Sequence, residues 1–245
     1  MTQFEHTNFD VTHGLLEKTD FEHYPIVSTR QNLARPNRRS EYIGTSSHRS
    51  IVFARSILLG NFDTRSYFLT LTFRPTKKFD TKNIDECDKR KNWFVRNMEK
   101  FYPDTKYFIV PELHKSRVVH YHVVCTLPVK LNDKERAKIW PYGFSTMKRI
   151  ANVDGLLYLT KYLSKSFRTP DWFGRRRFYV SNGLARSSRL NDVYSYLCSE
   201  FIKDWKVKPA VKIFYTSPYH GDIEYRAYLI GNNWLPHALG KPFST

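Results

Sequence analysis

The chain is predicted to fold as an α+β protein with a central antiparallel β-sheet and helices packed on it. Three observations lead there. Segments of period two alternate with segments of period 3.6 along the sequence. Two strand-like runs near the middle are split by only a short turn, which makes them a hairpin. Hydrophobic residues make up 41% of 245, enough for a packed core.

Residues 1–45 are polar, with scattered histidines and "RPNRR", and read as an N-terminal arm or lead-in. Residues 45–59 suit a helix carrying Ile51, Ala54, Ile57 and Leu58. "SYFLTLTF" (66–73) alternates, with Tyr67, Leu69, Leu71 and Phe73 on one face and Phe68, Thr70 and Thr72 on the other. Both faces carry apolar side chains, so the strand is expected to be central. Ile84–Phe101 fits a helix whose stripe is Ile84, Cys87, Lys91, Phe94, Met98 and Phe101. "KYFIVPELHK" and "VVHYHVVCTLP" form the hairpin. "DKERAKIW" is a short helix, and "GFSTMKRI" a strand. Asp154–Phe167 and Asn191–Trp205 are helical, and "VKIFYT" and "IEYRAYLI" are strands near the end. The main domain is expected over 46–210, with 211–245 a C-terminal β extension of it.

Formal net charge is +17 with a pI near 9.8. Such a field concentrates polyanions and points to nucleic acid before an anionic membrane surface. From Thr160 to Arg189 there are eight Lys or Arg against Asp171 alone. "GRRRFYV" mixes cations with aromatics, which suits single strands, since cations hold phosphates while rings stack bases. The plain alternative is a solvated basic loop. No apolar run reaches the roughly 20 residues of a membrane span. No leader pattern opens the chain, and Cys87, Cys125 and Cys198 form no C-x-x-C pair, so a reducing cytoplasm is the expected setting.

In "ELHKSRVVHYHVV" (112–124), His120 and His122 share one face of a strand and Tyr121 takes the other. A three-residue turn at Lys115–Arg117 sets Glu112 opposite His120 and Val110 opposite His122. A two-residue turn sends Glu112 to the other face. In the first register two imidazoles and a carboxylate converge, a donor set with open coordination positions for a transition or harder divalent ion. The alternative is two strand histidines satisfied by ordinary hydrogen bonds.

"GLLYLTKYLSKSF" (155–167) aligns Leu156, Leu159, Leu163 and Phe167 on one helical stripe. Tyr158 and Tyr162 fall on the far side with Lys161 and Lys165 beside them. A tyrosine hydroxyl can attack a phosphodiester and retain the cut end covalently. Nearby ammonium groups would favour the phenolate and neutralise transition-state charge. The alternative is an amphipathic helix with surface tyrosines.

Taken in order, "FLTLTF", "PELHKSRVVHYH" and "YLTKYLSK" resemble the HUH endonucleases, and more closely the rolling-circle replication initiators of small bacteriophages and plasmids. "IWPYGF" before a basic strand is similar to their segment between the second and third motifs. The resemblance covers about Tyr67 to Lys165. It implies a sheet akin to RNA-recognition and ferredoxin-like folds, and Mn²⁺ or Mg²⁺ at His120 and His122 with Glu112 as third ligand. It implies Tyr158 and Tyr162 as nucleophiles assisted by Lys161 and Lys165. The family turn before H-x-H often carries glycine, where this chain reads "KSRVV". Lys148, Arg149, Arg175, Arg176, Arg177 and Arg186 are the candidates for DNA contact.

The expected function is nicking and rejoining of single-stranded origin DNA through a 5′-phosphotyrosyl intermediate, which starts rolling-circle replication. A host DNA polymerase would extend the free 3′-OH. No G-x-x-x-x-G-K-[ST] loop is present, so a helicase would come from the host. Alternatives are a transposase or relaxase of the same superfamily, a single-strand-binding module that never cuts, and a zinc hydrolase of small molecules, for which a charge of +17 is unsuited.

Overall fold

The computed structural model describes residues 6–12, 15–22, 39–172, 174–190, 192–217 and 221–230. In chain order the elements are β1 (His6–Thr12), β2 (Leu15–Phe21), α1 (Arg39–Asn61), β3 (Tyr67–Thr72) and α2 (Ile84–Phe101). Then come β4 (Tyr107–Leu113), β5 (Val119–Cys125), α3 (Asp133–Ile139), β6 (Ser145–Arg149) and α4 (Val153–Arg168). After a 3-10 turn at Pro170–Trp172 follow β7 (Tyr179–Val180), β8 (Ser188–Arg189), α5 (Asp192–Asp204), β9 (Val211–Ser217) and β10 (Gly221–Leu229). The α+β class with antiparallel sheets is as predicted.

The chain divides into two compact units, Asn61–Leu184 and Met1–Gly60 with Ala185–Thr245. In the first unit the sheet order is β6-β3-β5-β4-β7, every pairing antiparallel. The run β3-α2-β4-β5-α3-β6 with this order is the split βαβ arrangement of ferredoxin-like folds. Its core lies on the face of Leu69, Leu71, Ile109, Tyr121 and Val123, where α2 contributes Cys87, Phe94 and Met98. Burial there follows the two periods: alternate residues of β3 are buried, and α2 is buried at three- and four-residue steps. Phe101 departs from the expected stripe and is exposed, because the helix ends there in the cap at Tyr102. α2 starts where Asn83 accepts from the amides of Asp85 and Glu86, and α3 starts in a capping box of Asn132 and Glu135.

Half-buried Asp88 and buried Lys91 fix how α2 sits on this sheet. Asp88 accepts from the hydroxyls of Tyr121, at 2.7 Å, and Tyr179, at 2.8 Å. The Lys91 ammonium lies 3.1 Å from the centre of the Tyr179 ring, and burial brings its pKa down to about 8. Tyr121 thereby has a partner for its hydroxyl on the core face, which leaves its two histidine neighbours to the opposite face.

The second unit holds the sheet β8-β1-β2-β10-β9. Glu17 is buried and accepts from Ser56, at 2.7 Å, and Tyr225, at 2.6 Å; burial pushes its carboxyl up. On the other face Asp20 pairs with Lys18 and with Arg226, and Glu224 with Arg226 and Lys212.

The expected segmentation at 45 and 210 differs from this division. β1 and β2 occupy the stretch read as an arm, and β9 and β10 join β2 instead of extending the main domain. The physical reason is range. Asp20 of "LLEKTDF" pairs with Arg226, 206 positions on, and Glu17 accepts from Tyr225, 208 positions on, so local composition resembles that of a solvated segment. "RPNRR" runs over 35–39, and nothing in it before Arg39 is among the described residues.

Candidate functional site

The hairpin turn comprises Lys115, Ser116 and Arg117, closed by Arg117 N donating to His114 O at 2.8 Å and His114 N to Val118 O at 2.9 Å. Arg117 takes φ 66°, the left-handed position that ends a three-residue hairpin loop and that glycine fills most easily. Its guanidinium pairs with Asp171. The register that results sets Glu112 across from His120 and Val110 across from His122, as the three-residue turn predicted. On the far side of β5, Thr70 stands across from His122 and Thr72 across from His120.

His122 is buried and held at both ring nitrogens. Nε2 meets Glu112 Oε2 at 2.5 Å, and Nδ1 meets Thr70 Oγ1 at 3.3 Å. A neutral ring that donates from Nε2 to the carboxylate accepts the Thr70 hydroxyl proton at Nδ1. The second oxygen of Glu112 takes the Lys165 ammonium. Burial alone would raise this carboxyl, but the contacts of His122 and Lys165 outweigh it and hold it down to about 2. His120 stacks on His114 with ring centres 5.5 Å apart, and burial lowers its pKa against the opposing pull of Glu112.

α4 lies over this face. Asn152 caps its first turn through Gly155 N. Leu156, Leu159 and Phe167 are buried, as the leucine stripe predicted. Tyr162 is turned further inward than the helical wheel suggested. Its ring stacks on His122, centre to centre 3.9 Å, with Phe68 beside both at 6.3 and 5.6 Å. The Tyr158 and Tyr162 hydroxyls are 3.1 Å apart, and Tyr158 is 53% exposed. Burial pushes the Tyr162 phenol up, and the hydrogen bond to Tyr158 adds to it. Both effects oppose a Tyr162 phenolate, and the Lys165 ammonium is engaged by Glu112. Lys161 lies on α4, but its side chain is outside the described residues.

Two imidazoles and a carboxylate on one face are donors of the right kind for a divalent cation. Among the described residues, no three His, Cys, Asp or Glu side chains stand as a set that could hold a metal ion as they are placed. Glu112 has His122 on one oxygen and the Lys165 ammonium on the other. An ammonium on a carboxylate supplies the positive charge that a cation would bring.

The six candidates for DNA contact separate by their partners. Arg175 pairs with Asp85 through both guanidinium nitrogens, and Arg177 lies 5.2 Å from the Phe167 ring and donates to its carbonyl. Arg176 is exposed, as are Lys148 and Arg149 on β6, the last donating to Thr64 O at 3.2 Å. Arg186 belongs to the other unit and lies 5.8 Å from the Phe53 ring. Thr70 and Phe68 were not singled out by sequence. The signal was present, since both alternate with the core residues of "YFLTLT" and so face the histidine side.

Residues 66–167 match the family model of the replication-associated protein ORF2. The match is under half of the chain, lies within the unit Asn61–Leu184, and runs from the start of β3 into the last turn of α4. No curated protein and no solved structure matches. No described helix is long and apolar enough to cross a membrane. The matched segment contains Glu112, His120, His122, Tyr158, Tyr162 and Lys165, and the match supports a replication-associated protein of the rolling-circle initiator kind.

Proposed function

We propose that the unit Asn61–Leu184 is an HUH-type endonuclease and strand transferase that nicks and rejoins single-stranded DNA at a replication origin. The observation that carries this reading is the Tyr162 ring stacked at 3.9 Å on His122, with Tyr158 one turn away and in hydroxyl contact. Strand histidines and helix tyrosines were identified from separate stretches of sequence, and α4 brings them together.

Tyr158, the more exposed of the two residues, is the one a phosphodiester reaches first. Its oxygen attacks phosphorus and its proton is lost. The P–O3′ bond breaks, and the leaving oxygen takes a proton to become the 3′-OH that a polymerase extends. The 5′-phosphate remains on the tyrosine. Attack of a 3′-OH on the tyrosyl phosphate rejoins the strand and restores the tyrosine hydroxyl; where the second tyrosine first cuts another phosphodiester, the 3′-OH it frees is the one that attacks, and the new 5′-phosphate stays on the second tyrosine. Glu112, His120 and His122 would hold a Mn²⁺ or Mg²⁺ ion, which when bound polarises the scissile phosphate. His122 must give up its Nε2 proton to serve as ligand. Thr70 holds the ring orientation through Nδ1. With a cation bound there, Lys165 would be released from Glu112 Oε1 and its ammonium would serve phosphate charge.

The test is cleavage of labelled single-stranded DNA from the protein's own replicon, with Mn²⁺, Mg²⁺ or EDTA. Cleavage should need the metal and be lost in His120→Ala and His122→Ala. Cleavage that persists in EDTA, or in the two histidine variants together, would falsify the metal site.

A further inference from the structure

The stretch Trp140–Phe144 is pinned so that one phenyl ring stands in solvent. Trp140 is buried, and its Nε1 donates to Thr72 O at 2.9 Å. Arg74 N donates to Tyr142 O at 2.9 Å. The Thr72 amide, at 2.9 Å, and the Thr72 hydroxyl, at 2.8 Å, both donate to Phe144 O. Gly143 lies so close to the end of β3 that a Cβ there would stand 2.1 Å from Thr72 O and 2.7 Å from Arg74 N. A backbone held this tightly has little freedom left, yet Phe144 is 67% exposed and makes no ring contact among the described residues.

The ring points to a definite face. Met147 stands across from Leu69 and belongs to the core. Thr146 and Lys148 stand across from Thr70 and Phe68, so they share the histidine face. Phe144 immediately precedes β6, and continuing the alternation one residue back puts it with them. β6 is two strand spacings from β5, about 10 Å. An exposed aromatic and an exposed ammonium thus border the candidate site along one edge strand. Stacking on the ring and charge on Lys148 together fit one ligand chemistry, a nucleotide of an unpaired strand. The unit's charge agrees, with twenty-five Lys or Arg against twelve Asp or Glu.

We propose that Phe144, Thr146 and Lys148 form a nucleotide subsite: the phenyl stacks a base, and Lys148 takes a phosphate of single-stranded DNA running past the tyrosines. The identity of that strand rests on the nuclease reading above. A rigid exposed ring suits this task because little conformational entropy is lost when a base docks on it.

The test measures binding of the full chain to oligo-dT and to an abasic deoxyribose-phosphate oligomer of equal length. Phe144→Ala should weaken oligo-dT binding about tenfold, as loss of one stacked base does. Phe144→Trp should restore it. Binding of the abasic oligomer should be the same in all three proteins, and Lys148→Ala should weaken both ligands. Unchanged oligo-dT affinity in Phe144→Ala overturns the subsite, and so does an equal loss for the abasic oligomer. Absence of any oligo-dT binding in the wild type overturns the subsite. Covalent adduct formation, scored in parallel, judges the nuclease reading alone: adduct with an unaffected Phe144→Ala variant sinks only the subsite.

Discussion

Glu112 accepts from an imidazole at one oxygen and an ammonium at the other. Its folded pKa, about 2, lies below its ordinary 4.5. The ionised form therefore favours folding, with the contribution complete above about pH 5 and lost as pH falls towards 2. Glu112→Gln should lower stability at pH 7 by roughly 1–3 kcal/mol and flatten the acid limb, read from urea midpoints at pH 7 and pH 3. An equal shift at both pH values would contradict the assignment. Thr70→Val should leave the fold intact and weaken Mn²⁺ binding roughly 10- to 100-fold, measured by calorimetric titration, because the His122 ring loses what orients it. At this scale much of the site was legible. His120, His122, Tyr158 and Tyr162 come from residue type and spacing, whereas Glu112 joined them only in one of the two turn lengths considered, the one that the structure has. Lys165 was legible as a cation but not as the partner of Glu112, since a contact between strand and helix 53 residues apart leaves no local pattern.

The elements of the first unit follow from their periods, and α2 matches its expected ends at both termini. The hairpin register followed from turn length, and the turn shows why its missing glycine is tolerated. Arg117 accepts a left-handed φ of 66° and anchors to Asp171. What the periods did not show was phase against neighbours. Tyr162 sits on the far side of the leucine stripe on a wheel, yet its ring stacks on His122. Arg175 and Arg177, expected as DNA contacts, are tied to Asp85 and Phe167 in the structure. At the edge strand, Gly143→Ala must push backbone atoms apart and should cost roughly 1–3 kcal/mol in thermal or urea unfolding. Full stability in that variant would contradict the close approach at the end of β3.

Across the molecule, charge is divided unequally. The unit Asn61–Leu184 carries twenty-five Lys or Arg and twelve Asp or Glu, a net of +13, which leaves +4 of the +17 for the other unit. Affinity for single-stranded DNA should fall steeply with salt, and neutralising Lys148 and Arg149 together should reduce the log–log slope by about 1.4. Arg175→Ala should change the slope less, since its charge is already paired with Asp85. The two-unit division was the least legible feature, because β2 and β10, about two hundred residues apart, meet through pairings such as Asp20 with Glu224 that leave no local pattern. The central proposal, a tyrosine that keeps the cut strand, is tested most directly by peptide mass mapping of protein incubated with single-stranded DNA and Mn²⁺. A nucleotide on the peptide that contains Tyr158 and Tyr162, absent when both are Phe, is the expected result. DNA cut without any protein-bound nucleotide, or with one on another residue, would contradict it.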